Sequence, residues 1–126
     1  MKIRVDITRE PLQARGLAST DGSTGALVEF AGIVRGEEDG APICALDYEA
    51  YEVMARSEME RIVRNLSAQY PCHAVAIVHR IGRVPVGEAS ILVRIEAKHR
   101  AEAFGMLTNF MDRLKQDVPI WKNLSP

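Results

Sequence analysis

A chain of 126 residues, 47% hydrophobic and 26% charged, is long enough for one domain that buries about two-thirds of its unfolded surface. A net charge of −1 argues against a general nucleic-acid binder, which would carry a basic excess. No apolar run nears the roughly 20 residues of a membrane span, and the charged, alternating start Met1–Ile7 does not read as a signal peptide. The expectation is one domain over residues 1–126, in the cytoplasm, with neither nucleic acid nor membrane as partner.

Along the chain, residues 2–7 set Ile3, Val5 and Ile7 against Lys2, Arg4 and Asp6, the alternation of a half-buried strand. Pro11–Leu17 is expected as a short helix with proline in its first turn. Gly16–Gly25 is a loop that lacks the Gly-Lys-Ser/Thr ending of a phosphate-binding loop. Gly25–Arg35 is a strand in which Gly32 marks a bulge or a close backbone approach. The acidic turn Gly36–Pro42 follows, and Ile43–Ala50 returns as a strand, expected antiparallel to the one before it.

Met54, Met59, Ile62, Val63 and Leu66 then recur at helical spacing until about residue 69, where Tyr70-Pro71 stops the helix. Ala74–Arg80 and Ala89–Ala97 are strands joined by a turn-rich connection over residues 81–87. A last helix runs from about residue 99 to 117, ending before Pro119. The order β-α-β-β-α-β-β-α predicts an α+β fold, helices packed on a largely antiparallel sheet. Cys44 and Cys72 are expected as reduced, half-buried thiols. The histidines and cysteines lack metal-ligand spacing.

Lysine is rationed. Lys2, Lys98, Lys115 and Lys122 stand against twelve arginines. A primary amine can deprotonate or attack a carbonyl, whereas a guanidinium stays charged. Projected at 100° per residue, the last helix groups Ala103, Phe104, Leu107, Phe110, Met111 and Leu114 on one face, opposite Glu102, Thr108, Asn109, Asp112, Arg113 and Gln116. Arg100 falls inside the apolar arc and Lys115 on its border. Three answers to a cation there remain open: Glu96 neutralises it, the helix begins after it, or an anionic ligand supplies the counter-charge.

His99 and Arg100 also lie at the helix N-terminus, a setting that suits phosphate. His99 alone reads as a capping or core histidine. His99, Arg100, Lys115 and Lys122 together read as an anion site, with Arg35 either joining them or pairing with Glu37 or Glu38. The pair His79-Arg80 reads as structural, in the turn before Gly82.

Five segments, Phe30-Ala-Gly-Ile-Val-Arg35, Leu46-Asp-Tyr-Glu-Ala-Tyr51, His79-Arg-Ile-Gly82 with Gly87-Glu88, His99-Arg100 with Ala103-Phe104, and Leu114-Lys115 with Pro119-Ile-Trp-Lys122, occur in one order across residues 25–122. In these the chain resembles the molybdopterin synthase large-subunit family. The resemblance implies sulfur transfer from the thiocarboxylated Gly-Gly tail of a small ubiquitin-like carrier subunit to cyclic pyranopterin monophosphate, forming the molybdopterin dithiolene. It also implies a homodimer within a heterotetramer, no metal and no organic cofactor.

Carried over by position, Arg35, His99 and Arg100 would hold the substrate's phosphate and pterin. Lys115 would sit against the carrier's terminal carbonyl, and Lys122 would assist there, making both lysines catalytic as well as substrate-binding. The chain departs from the family in Lys98, which replaces a small residue before His99. It departs again after Lys122, where Asn123-Leu124 replace a basic and an acidic residue. Its first 24 residues carry no such likeness. The alternative is a non-catalytic module on the same fold that binds a carrier protein or an anionic metabolite.

Overall fold

The computed structural model describes residues 1–16 and 22–126. Nine strands and two helices run in the order β1 (Lys2–Thr8), β2 (Ala26–Ile33), β3 (Glu37–Glu38), β4 (Ala41–Pro42), β5 (Ala45–Ala50), α1 (Glu52–Leu66), β6 (Ala74–Arg80), β7 (Gly82–Pro85), β8 (Ala89–Ala97), α2 (Arg100–Asp117) and β9 (Ile120–Ser125). The architecture is α+β, with a four-stranded sheet in the order β1-β6-β8-β2. Only the β1–β6 pairing within it is parallel. A parallel pair needs a long crossover, which the chain between β1 and β6, including α1, provides.

The apolar side of each strand follows from the two-residue alternation. Val75 and Ile77 of β6, Val93 and Ile95 of β8, and Val28 and Phe30 of β2 turn to the face covered by the helices. From α1 come Met59, Ile62 and Val63, all with no exposed surface. From α2 come Ala103, Met106, Phe110 and Leu114. The apolar stripe of α2 is therefore rotated from the expected one: Met106 is fully buried and Phe104 is 55% exposed. The reason is geometric, because positions 103, 106, 110 and 114 follow the three-four spacing of a single seam.

Other expectations need correcting. Residues 11–16 form no helix, and Leu17 lies outside the described residues, as do positions 18–21 of the loop at 16–25. A strap replaces the helix, because the Glu29 carboxylate accepts from the Arg15 and Gly16 backbone N–H groups while Arg94 donates to the Gly16 carbonyl. β2 does not pair with β5. It pairs along its length with β8, and β5 belongs to a second, antiparallel sheet in the order β7-β5-β9. The acidic turn between them forms the small β3–β4 hairpin, which carries the chain from one sheet to the other. The turn at 81–87 contains β7, and β9 follows Pro119 where no strand was expected.

Gly32 does sit at a shift of register, and a Cβ there would lie 2.8 Å from the Ile91 side chain. A second small core of Val34, Ile43, Leu46 and Val84 fixes the roots of the hairpin, helped by a backbone bond from Ile43 N–H to the Gly36 carbonyl. Neither thiol is half-buried: Cys44 is exposed and Cys72 is buried. Burial, followed by the charge of Glu102, pushes the Cys72 thiol up to about 11, which keeps it an inert thiol at neutral pH.

Candidate active site

Three elements bring cations to one place. Arg35 follows β2 at the foot of the hairpin, Lys115 lies in the last turn of α2, and Lys122 lies in β9. Their common neighbour is Glu38. The Lys122 ammonium donates to the Glu38 carboxylate at 2.5 Å, and the Glu38 side chain is only 15% exposed. That hydrogen bond, then the charges of Lys122, Arg35 and Lys115, hold the Glu38 carboxyl below its ordinary 4.5 against the opposing effect of burial. Arg35 and Lys115 thus act on Glu38 through charge, without an ion pair of their own among the described residues. An open depression beside them is lined by Arg35, Gly36, Glu37, Asp39 and Gly40.

β9 places Lys122 by register. It lies opposite Tyr48 of β5, between the pairs Glu49–Trp121 and Asp47–Asn123. On the other side of β5 the Glu49 carboxylate accepts from Trp121 Nε1 at 3.1 Å and from Asn123 Nδ2 at 2.9 Å. These bonds hold an edge strand whose residues are mostly exposed. Trp121 also meets Tyr51 edge-on, with ring centroids 5.2 Å apart.

His99 and Arg100 stand at the opposite end of α2. Fifteen residues at 1.5 Å each put Arg100 about 22 Å along the axis from Lys115. One copy of the chain therefore gathers Arg35, Lys115 and Lys122, and leaves His99 and Arg100 apart from them. His99 is the residue at the helix N-cap, with extended backbone and no side-chain capping bond. Its Nδ1 lies 3.7 Å from a Glu102 carboxylate oxygen, and its side chain is 66% exposed. Arg100 opens the helix and is exposed, which answers the problem of a cation in the apolar arc: the buried seam begins three residues later, at Ala103. Neither Glu96 nor any other described residue forms an ion pair with it.

His79 is structural. It is buried, donates through Nδ1 to the Arg80 carbonyl at 2.8 Å, and meets the Tyr48 ring edge-on. Burial pushes its pKa down, so the ring stays neutral. Arg80 pairs with Glu88 at 2.7 Å across the β7 turn. His73 bonds through Nε2 to the Ser23 carbonyl at 3.1 Å.

The sequence and the fold are matched by known proteins. The family model described as MoaE protein matches residues 7–117, which include Arg35, His99, Arg100 and Lys115. The chain belongs to the MoaE family.

The match begins at residue 7, so the family likeness reaches into the N-terminal stretch where the five motifs showed none. A Pyrococcus abyssi protein named molybdopterin synthase catalytic subunit is 42% identical over 126 residues, covering 96% of this chain and 84% of that one. A Nostoc protein of the same name is 40% identical over 119 residues, covering 92% and 72%. The human protein of that name is 39% identical over 98 residues, and the chain spans 52% of its length.

Among solved structures, molybdopterin synthase from Staphylococcus aureus superposes with a TM-score of 0.85 at 32% identity, covering 94% of this chain and 88% of that one. A complex of subunits 1 and 2 of the molybdopterin-converting factor from Helicobacter pylori superposes with a TM-score of 0.73 at 26% identity, covering 97% and 83%. Family membership makes the chain an enzyme of molybdenum cofactor biosynthesis, a molybdopterin synthase catalytic subunit.

Glu38 was absent from the expected site. Its distance of 84 residues from Lys122 is invisible to any spacing rule, and in sequence it lies in a run that reads as solvated charge.

Proposed function

We propose that the chain moves sulfur from the thiocarboxylate at the C-terminal Gly-Gly of a small ubiquitin-like carrier to cyclic pyranopterin monophosphate, making the dithiolene of molybdopterin. The observation that carries this reading is the gathering of one guanidinium and two primary amines, Arg35, Lys115 and Lys122, around one carboxylate. Sulfur leaves an acyl donor through a transition state with negative charge on oxygen, which a fixed cation stabilises. Lys115 meets that charge at the carrier's terminal carbonyl. Lys122, paired with a carboxylate, exchanges the protons needed to open the cyclic phosphate.

Arg35 binds the substrate's phosphate from the same side. His99 and Arg100 complete the phosphate and pterin site from the second protomer of a homodimer. The length of α2 supports this division, since one protomer holds the two groups about 22 Å apart along the helix axis. A guanidinium grips two phosphate oxygens at once, and the free N–H groups of the α2 N-terminus lie beside it. The carrier docks at each end of the dimer, giving a heterotetramer, a reading in keeping with the two-subunit Helicobacter pylori complex. Residues 1–126 act as one catalytic domain that uses no metal or organic cofactor.

Among the described residues no helix is long and apolar enough to cross a membrane. We place the reaction in the cytoplasm, whose reducing pool keeps Cys44 and Cys72 as thiols.

The test mixes the chain, a freshly thiocarboxylated carrier and the cyclic precursor, and follows both products by mass spectrometry. Dithiolene pterin should appear as the carrier returns to its carboxylate. Tight carrier binding without product would leave only the alternative, a binding module without chemistry.

A further inference from the structure

The β3–β4 hairpin is too short to be stable by itself, with two residues in each strand. It is nonetheless fixed at both ends of its function. The buried Val34 and Ile43 hold its root, and the bond between Glu38 and Lys122 closes its tip onto β9. Asp39 at φ 52° and Gly40 at φ 80° form the turn that aims Glu38 inward, away from the exposed Glu37. The carboxylate faces Arg35 from the β2–β3 connection, Lys115 from α2 and Lys122 from β9, yet among the described residues it bonds only Lys122.

We infer that Glu38 is a positioning residue for Lys122, dividing the three site cations between two tasks. Lys122, neutralised and oriented by Glu38, serves proton transfer. Arg35 and Lys115, with no hydrogen-bond or ion-pair partner among the described residues, face the ligand's negative charge. A lysine on an exposed edge strand otherwise samples many rotamers, and aiming its amine at one reacting atom needs a second fixed contact. Glu38 supplies that contact from a different part of the chain.

The inference rests on the proposed sulfur transfer for its kinetic arm only. In the full reaction with thiocarboxylated carrier, Glu38→Gln should lower kcat on the order of tenfold while KM for the cyclic precursor stays within about twofold. Glu38→Asp, which keeps the charge, should recover part of the rate. The acid limb of the wild-type kcat profile, present because Glu38 must stay ionised, should vanish in Glu38→Gln. Glu60→Gln, at an exposed ion pair on α1, should leave kcat unchanged, and melting temperatures of all variants show whether the fold survives.

The second arm needs no turnover. Acetic anhydride labels the four lysines, and peptide mass spectrometry separates them. Acetylation of Lys122 should be about fivefold faster in Glu38→Gln than in wild type, since the amine is no longer held as an ion pair. Lys2 should be unaffected. A Glu38→Gln enzyme with wild-type kcat, or with Lys122 labelled at the wild-type rate, overturns the inference. Wild-type protein that makes no dithiolene overturns the proposed function instead, and the labelling arm still decides the role of Glu38.

Discussion

Lys122 of β9 lies directly across from Tyr48 of β5, and the Tyr48 ring meets buried His79 edge-on at 5.1 Å. A residue of the candidate site is thus tied to the main core through one cross-strand neighbour. Tyr48→Phe keeps the ring and should leave both melting temperature and turnover near wild type. Tyr48→Ala removes the contact with His79 and the support beneath β9. It should cost about 2 kcal/mol by denaturant unfolding and lower turnover together with stability. An Ala variant with normal stability would show that the backbone bonds to β5 and the Glu49 side-chain bonds hold β9 without Tyr48.

His79 makes stability depend on pH. Burial lowers its folded pKa below the ordinary 6.5, so the unfolded chain binds the proton more readily. Its contribution is complete above about pH 6.5 and is lost as pH falls from there toward the folded value. The melting temperature should therefore drop between pH 7.5 and pH 5.5. In His79→Gln, which cannot titrate, that slope should be shallower. An equal slope in the two proteins would assign the acid sensitivity elsewhere.

The main sheet was legible in the sequence because its signals are local. β6 and β8 have the predicted limits, since each is a near-continuous apolar run bounded by turn residues. β9 was not legible, for its residues Ile120–Ser125 are mostly exposed and show no alternation. Its conformation comes from pairing with β5, which no short window of sequence contains. The misplacement of Phe104 has a similar origin: both Phe104 and Met106 fit an apolar arc, and only the position of the sheet decides which is buried. Arg35, Lys115 and Lys122 were nameable as chemistry, whereas Glu38 is visible only once the hairpin brings it to β9.

Gly25 couples the fold to the second half of the site. Its N–H donates to the Ala97 carbonyl at 3.0 Å, and a Cβ at this position would lie 2.3 Å from the Lys98 carbonyl oxygen. Backbone cannot yield as a flexible side chain does. Gly25→Ala should push β2 away from the residue that precedes His99, at a cost of about 1–3 kcal/mol. Denaturant unfolding checks the stability, and a raised KM for the cyclic precursor would report the displaced His99 and Arg100.

Lys115 separates stability from chemistry. It is exposed in the last turn of α2, where a cation gains about 0.3–1 kcal/mol from the helix dipole and little else. Lys115→Ala should therefore unfold within about 1 kcal/mol of wild type, yet lose at least about 100-fold in turnover through the missing charge at the acyl oxygen. Full turnover by this variant would remove Lys115 from the mechanism.

Arg100 and Lys115 lie too far apart along one helix to touch the same small substrate, so their joint action requires two chains. Arg100→Ala and Lys115→Ala should each be inactive as pure proteins. Mixed under conditions that exchange subunits, they form hybrid dimers in which one site carries both lesions and the other carries neither. With random exchange half of the dimers are hybrids, each with one intact site of two, and activity should return to about a quarter of wild type. Lys115→Ala mixed with Lys122→Ala should stay inactive, because those two residues belong to the same half and every site keeps a lesion. Recovery in the second mixture, or none in the first, would mean that the cations at the two ends of α2 do not share one substrate.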